Sequence, residues 1–184
     1  MGKNKLIIID ADRNSAPLLN NFYIDSAYAA IDKLSYEYPN FGKWYYEKIV
    51  PGLFSGERKI LVNLIDNTIS AVAILKDTAD ERKICTIRVH PLFRRQGVGK
   101  MLIGKSFELL GTDKPIITVS SARMGQFRNI FRYFGFKLEK KIKGIYIPHI
   151  TEYVFNGDLI STSNFSNVAG KEYQYNPFVS TVED

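Results

Sequence analysis

The run Val89, His90, Pro91, Leu92, Phe93, Arg94, Arg95, Gln96, Gly97, Val98, Gly99, Lys100 is the stretch of this chain whose residue types and spacing suit chemistry. Gly97 and Gly99 let the backbone approach a ligand closely, and a helix that begins beside them offers unpaired N–H groups carrying a partial positive charge. Arg94, Arg95 and Lys100 add full charges around the same turn. A turn of this kind binds anions, and a diphosphate would compensate its charge. Two glycines with basic neighbours also occur by chance, so the weight lies in the context: a strand end before the turn and an apolar helix after it.

Other reactive side chains are sparse. Cys85 lies on the strand that leads into the motif, and with no His or Asp at a matching spacing it reads as core. His90 and His149 are the only histidines, too few for a His-based metal site, and His90 beside Pro91 reads as a strand end. Glu57, Asp80 and Glu81 stand near strand ends as candidate bases, with nothing to single one out. No metal site is expected.

The elements that must position the motif follow from periodicity. Lys5 to Asp10 reads as a first strand, and Ser15 ahead of Pro17 as a helix cap. Leu19, Phe22, Tyr23, Ala27, Ala30, Ile31 and Leu34 then form one apolar helical face. The aromatic stretch from Tyr36 to Tyr46, interrupted by Pro39 and Gly42, reads as a loop into a short helix ending near Pro51 and Gly52, and it either lines a pocket or caps the core. Lys59 to Ile65, Thr68 to Leu75 and Lys83 to His90 are strands, the first two joined by a turn at Asp66 and Asn67. A helix from Val98 to Leu110 stops at Gly111, Ile116 to Ser120 is a short buried strand, and a helix from Arg123 to Phe134 stops at Gly135. Phe136 to Lys143 and Ile145 to Phe155 close the sheet. The fold class is therefore mixed α/β (α+β), a mostly antiparallel central sheet of about seven strands with helices on both faces.

With these elements in place, the sequence resembles the GNAT superfamily of acyl-CoA-dependent N-acetyltransferases. Arg94, Gly97 and Gly99 match its acyl-CoA signature, and Phe134, Gly135, Phe136 match the aromatic, Gly, Phe ending of its later helix. The resemblance covers about Leu6 to Phe155 in element order. It implies acetyl-CoA as co-substrate, with the pantetheine arm lying along Ile87, Arg88 and Val89 like an added strand. It also implies a diphosphate on the amides of Arg95, Gln96, Gly97, Val98, Gly99 and Lys100, and an oxyanion on the Val89 N–H. The family's frequent acid, a Tyr four residues before the second-motif Gly, is Phe131 here, and its frequent Asn is Met124. Tyr133 stands ~200° around the helix from Phe131, which leaves Tyr146 on the closing strands as the candidate acid. No Lys-Ser or Lys-Thr follows Gly99, which argues against a P-loop nucleotide hydrolase.

Composition sets the outer bounds. The 184 residues allow one buried core, expected at 1–156, followed by a Ser- and Asn-rich tail or wrapping arm at 157–184. At 45% hydrophobic and 24% charged residues the chain is globular in profile, and it has no apolar run of the ~20 residues that cross a bilayer. No signal peptide is expected and a single cysteine suits a reducing compartment, so the expected location is cytoplasmic, as a monomer or homodimer with no membrane contact. The net charge of +6 favours acidic partners and makes nucleic acid admissible without supporting it. The function expected is transfer of an acetyl group to a primary amine of a small molecule, a protein or an aminoacyl-tRNA. The alternative is an inactive acyl-CoA-binding module.

Overall fold

The computed structural model describes residues 3–11, 17–36, 40–144 and 147–157. Seven strands form one sheet in the order β1-β2-β3-β4-β5-β7-β6. These are β1 (Asn4–Ile9), β2 (Arg58–Ile65), β3 (Thr68–Asp77), β4 (Arg82–Val89), β5 (Ile116–Ser120), β6 (Leu138–Lys143) and β7 (Thr151–Phe155). Strands β1 to β4 are an antiparallel meander. Asp66 and Asn67 both take positive φ, 49° and 62°, so the β2–β3 hairpin closes with the turn hand that matches strand twist. The last strand begins at Thr151 rather than at Ile145, because Gly144 and Ile150 close a turn, the N–H of one donating to the carbonyl of the other at 2.8 Å.

Two apolar layers cover the sheet. On one face α1 (Pro17–Ile31) lays Ile24, Ala27 and Ile31 against Ile60, Val62, Val72 and Ile74. Phe22, expected on that face, is instead 63% exposed and stands edge-on to Tyr23. It lies two residues from Ile24, so the helical period that buries one turns the other outward. The proposed cap Ser15 lies outside the described residues.

The aromatic segment continues this layer as α2 (Phe41–Trp44), a widened π turn (Tyr45–Ile49) and α3 (Val50–Phe54). Phe41, Trp44 and Tyr45 are buried, and the Tyr45 hydroxyl donates to the Ile24 carbonyl at 2.8 Å. The helical run, expected to end near Pro51 and Gly52, passes through both and ends at Phe54. Pro51 sits in the first turn of α3, where its missing N–H costs nothing, and Gly52 is there for clearance: a Cβ would stand 2.4 Å from Arg58 Cγ.

On the other face α4 (Val98–Leu110) and α5 (Met124–Phe134) pack on Leu61, Ala73, Leu75 and Ile84. Both helices end on glycine, at Gly111 and Gly135, as their sequences indicate. Helix α4 is the crossover from β4 to β5, which makes that pair parallel.

The β4–β5 pair then parts. Pairing is confined to Lys83 with Ile116 and Ile84 with Ile117. Beside it, Ile84 pairs with Leu75 and Thr86 with Ile74, which leaves Cys85 as the extra residue of a bulge in β4. A bulge bends its strand and increases local twist, and here it turns the rest of β4 away from β5. The wedge between the two strands opens toward the turn that follows Val89.

Candidate active site

The turn is built to present amides. His90 ends β4 and its Nδ1 accepts the Leu92 N–H at 3.4 Å, while the Phe93 and Arg94 amides donate back to the His90 and Pro91 carbonyls. Arg95 adopts φ 63° and Gly97 φ 82°, an alternation that curls the chain around a concavity lined by N–H groups. The Gln96 side chain braces the turn by donating to the Leu92 carbonyl at 2.9 Å. The first bond of α4 runs from the Met101 N–H to the Gly97 carbonyl at 2.9 Å. Among the described residues, nothing accepts from the amides of Arg95 through Lys100. Six main-chain donors therefore meet the positive end of a thirteen-residue helix. The Lys100 ammonium is held 3.5 Å over the Tyr133 ring, a contact of about 0.5–1 kcal/mol at an exposed site.

The wedge supplies the second part. The His90 N–H donates to the Ser70 carbonyl on β3 at 2.8 Å, so by alternation the N–H groups of Val89 and Ile87 point the other way, into the gap. Beyond Ile117, β5 no longer pairs with them. The Val89 carbonyl on the same edge accepts from Arg94 Nε at 3.3 Å, which ties the turn to the gap. A cleft of about 1040 Å³ joins the turn, the gap and the space under α2 and the residues Lys33, Leu34 and Tyr36 that follow α1. Arg88 points into it, its guanidinium pulled below its ordinary range by burial and by neighbouring Arg94.

The α1–α2 side of the cleft holds the residue that sequence reasoning missed. Glu152 on β7 stands in register with Ser120 at the end of β5, is 3% exposed, and has its Oε1 buried without a hydrogen-bond partner among the described residues. Burial pushes its carboxyl from 4.5 up to about 7, against a smaller lowering by Lys83. An isolated Glu among Thr and Tyr on a closing strand carries no sequence signal; only the register with β5 places it in the cleft. Glu81 also lines the cleft but is bound to Lys76 at 2.5 Å, and Glu57 and Asp80 are exposed and do not border it. Cys85 borders the cleft at the bulge, its thiol pushed up by burial.

The structure brings Ile87, Arg88, Val89, Arg94, Arg95, Gly97, Gly99 and Lys100 together on one cleft wall. Phe131 and Met124 do not border it. Phe131 is 2% exposed and stacks on Phe136 with ring centroids 4.5 Å apart, so that helix position feeds the core. Tyr133 is 63% exposed at the cleft mouth under Lys100. The candidate acid Tyr146 lies outside the described residues, as does most of the segment 157–184. Among the described residues no cluster of His, Cys, Asp or Glu suits a metal ion, and no helix is long and apolar enough to cross a membrane.

Comparison with known proteins agrees with the geometry. A family model described as the acetyltransferase (GNAT) family matches residues 20–123. The ribosomal-protein-S18-alanine N-acetyltransferase of Escherichia coli superposes with a TM-score of 0.59 at 13% identity, covering 83% of this chain and 92% of that one. A GNAT-family acetyltransferase of Bacillus cereus gives 0.58 at 17% identity, covering 84% and 96%. Nourseothricin acetyltransferase gives 0.50 at 17% identity, and there this chain spans 65% of the other's length and 55% of its own. At these identities the likeness is one of fold. No curated protein matches the sequence.

Proposed function

Because this chain belongs to the GNAT acetyltransferase family, with the family model spanning residues 20–123, we propose that it moves an acetyl group from acetyl-CoA to a primary amine by direct attack in a ternary complex. The observation that carries this reading is the pairing of an open β4–β5 wedge with an amide-lined, arginine-rich turn at its mouth. The free amides of Arg95 to Lys100 suit a diphosphate, and the inward N–H groups of Ile87 and Val89 suit a pantetheine arm lying as an added strand. Both supports are donors that the fold itself leaves unspent.

The residues divide the chemistry between them. The amine nitrogen bonds to the thioester carbonyl carbon while the carbonyl electrons settle on an oxygen within reach of the Val89 N–H. The adduct's nitrogen then gives up its second proton to water as the C–S bond breaks and the thiolate leaves; with a thiol pKa of about 8.5 the thiolate needs no dedicated acid, which accommodates Phe131 in the family's usual tyrosine place. An alkylammonium titrates near ~10, so a base must take a proton before attack. Glu152 is the carboxylate on the cleft wall with a free lone pair and an affinity for protons tuned to neutral pH. Holding both substrates in one cleft supplies much of the remaining acceleration.

Thiol release with acetyl-CoA and a panel of primary amines tests the reading. Acetyl-CoA-dependent release with acetylated amine recovered is expected. Binding of acetyl-CoA without release from any amine would leave the inactive-module alternative standing, and absence of binding would remove the site assignment.

A further inference from the structure

Three cations stand side by side on the cleft floor. Arg58 on β2 pairs in register with Lys76 on β3, and Lys76 pairs in register with Lys83 on β4. Residues paired across strands point to the same face, so the three side chains form a row on the α1–α3 side, and all three line the cleft. Like charges placed directly opposite each other destabilise a sheet, so the row needs negative charge from somewhere. Among the described residues Glu81 binds Lys76 at 2.5 Å, and Lys83 stands close enough to Glu152 to oppose the rise of its carboxyl. The cations pointing to the other face are handled differently: Lys59 and Arg82 share Asp77.

Arg58 is the member prepared for a ligand. Its stem is seated in the notch that Gly52 leaves by lacking a Cβ, and one terminal nitrogen donates to the Glu57 carbonyl at 3.2 Å. Its Nε is buried with no partner among the described residues. That nitrogen is closed to a ligand, but the guanidinium fork beyond it matches a carboxylate or phosphate. The row is separate from the diphosphate turn: Lys83 and Val89 are six residues apart along β4, a rise of ~20 Å, and the turn begins beyond Val89. One ligand's phosphates cannot serve both places.

Resting on the acetyltransferase reading above, we propose that the Arg58, Lys76 and Lys83 row is the acceptor's anion site, so that the amine this protein acetylates carries a carboxylate or a phosphate. Its anion lies on the row near the base of the wedge, and its amine extends toward the open gap and Glu152. Polyamines and polycationic amines are disfavoured by the same charges.

Four probes decide this: β-alanine, O-phosphoethanolamine, ethanolamine and putrescine. Each is titrated calorimetrically into acetyl-CoA-saturated protein and assayed for thiol release, with wild type, Arg58→Met and Lys83→Met. Wild type is expected to bind one or both anionic amines at least about tenfold more tightly than ethanolamine, and each variant to lose about tenfold on the anionic amines while keeping acetyl-CoA affinity. The better of β-alanine and O-phosphoethanolamine identifies the anion. A variant that no longer binds acetyl-CoA is replaced by Arg58→Gln, which keeps the stem that fills the Gly52 notch. Equal or better use of ethanolamine or putrescine, variants that bind like wild type, or no binding of either anionic amine would overturn the anion site and leave acetyl transfer untouched. Row-dependent binding of anionic amines with no thiol release would keep the anion site and overturn acetyl transfer.

Discussion

Glu152 faces Ser120 across β7 and β5 at the level where β5 has already left β4, and its buried carboxylate lines the cleft that opens there. The base role proposed for it makes a kinetic prediction. Activity should rise with pH through about 7 as Glu152 ionises, and Glu152→Gln should flatten that limb and lower kcat/KM by about 10²–10⁴ with little change in acetyl-CoA affinity. An unaltered pH profile would remove Glu152 from the proton transfer.

The same carboxylate predicts a stability profile. Its folded pKa is raised from 4.5 to about 7, so the folded state binds the proton more tightly than the unfolded chain. The protonated form's advantage is complete below pH 4.5, is lost between 4.5 and about 7, and changes no further above that. Relative to Glu152→Gln, wild type should lose on the order of 3 kcal/mol over that interval, at about 1.4 kcal/mol per unit. Denaturant melts of both proteins at pH 4.5 and 8 measure it, and parallel behaviour would contradict the raised value.

Restoring the family's tyrosine should not help. Phe131 stacks on Phe136 and meets Phe155 edge-on, with centroids at 4.5 and 4.7 Å. Phe131→Tyr would bury a hydroxyl among rings at a cost of about 1–3 kcal/mol without placing it in the cleft. A lower melting temperature with no gain in rate is expected, and a faster enzyme would show that this helix position reaches the thioester.

The two motif glycines should separate. Gly97 sits at φ 82°, where a Cβ is strained by about 1–2 kcal/mol, whereas a Cβ on Gly99 would make ordinary contacts with Val89 Cγ2 at 3.5 Å and Ile130 Cδ1 at 3.8 Å. Gly97→Ala should lower thermal stability and disturb the turn, while Gly99→Ala should fold like wild type. Equal melting temperatures would contradict the left-handed turn.

Much of this architecture was legible in the residues. Most of the strand runs, the glycine stops at Gly111 and Gly135 and the turn from Arg94 to Lys100 are local features, set by side-chain period and backbone freedom, and apart from the closing strand, which starts at Thr151, the structure has them where the sequence puts them. What was not legible depends on partners distant in the chain. The Cys85 bulge exists only in the register between β3 and β4, and the Arg58, Lys76 and Lys83 row only in three-strand alignment. Glu152 reaches the cleft through β5, more than thirty residues earlier. The helical run through Pro51 and Gly52 was misread because both residues usually break helices, whereas here one occupies a first turn and the other clears space for Arg58.

The central claim is that the Arg94 to Lys100 turn grips the diphosphate of acetyl-CoA. Calorimetric titration of acetyl-CoA into wild type and Gly99→Glu, with circular dichroism to verify the fold, tests it most directly. The account predicts saturable one-to-one binding by wild type and its loss in a folded Gly99→Glu, where bulk and negative charge occupy the anion's place. Equal affinity in the two proteins would contradict it.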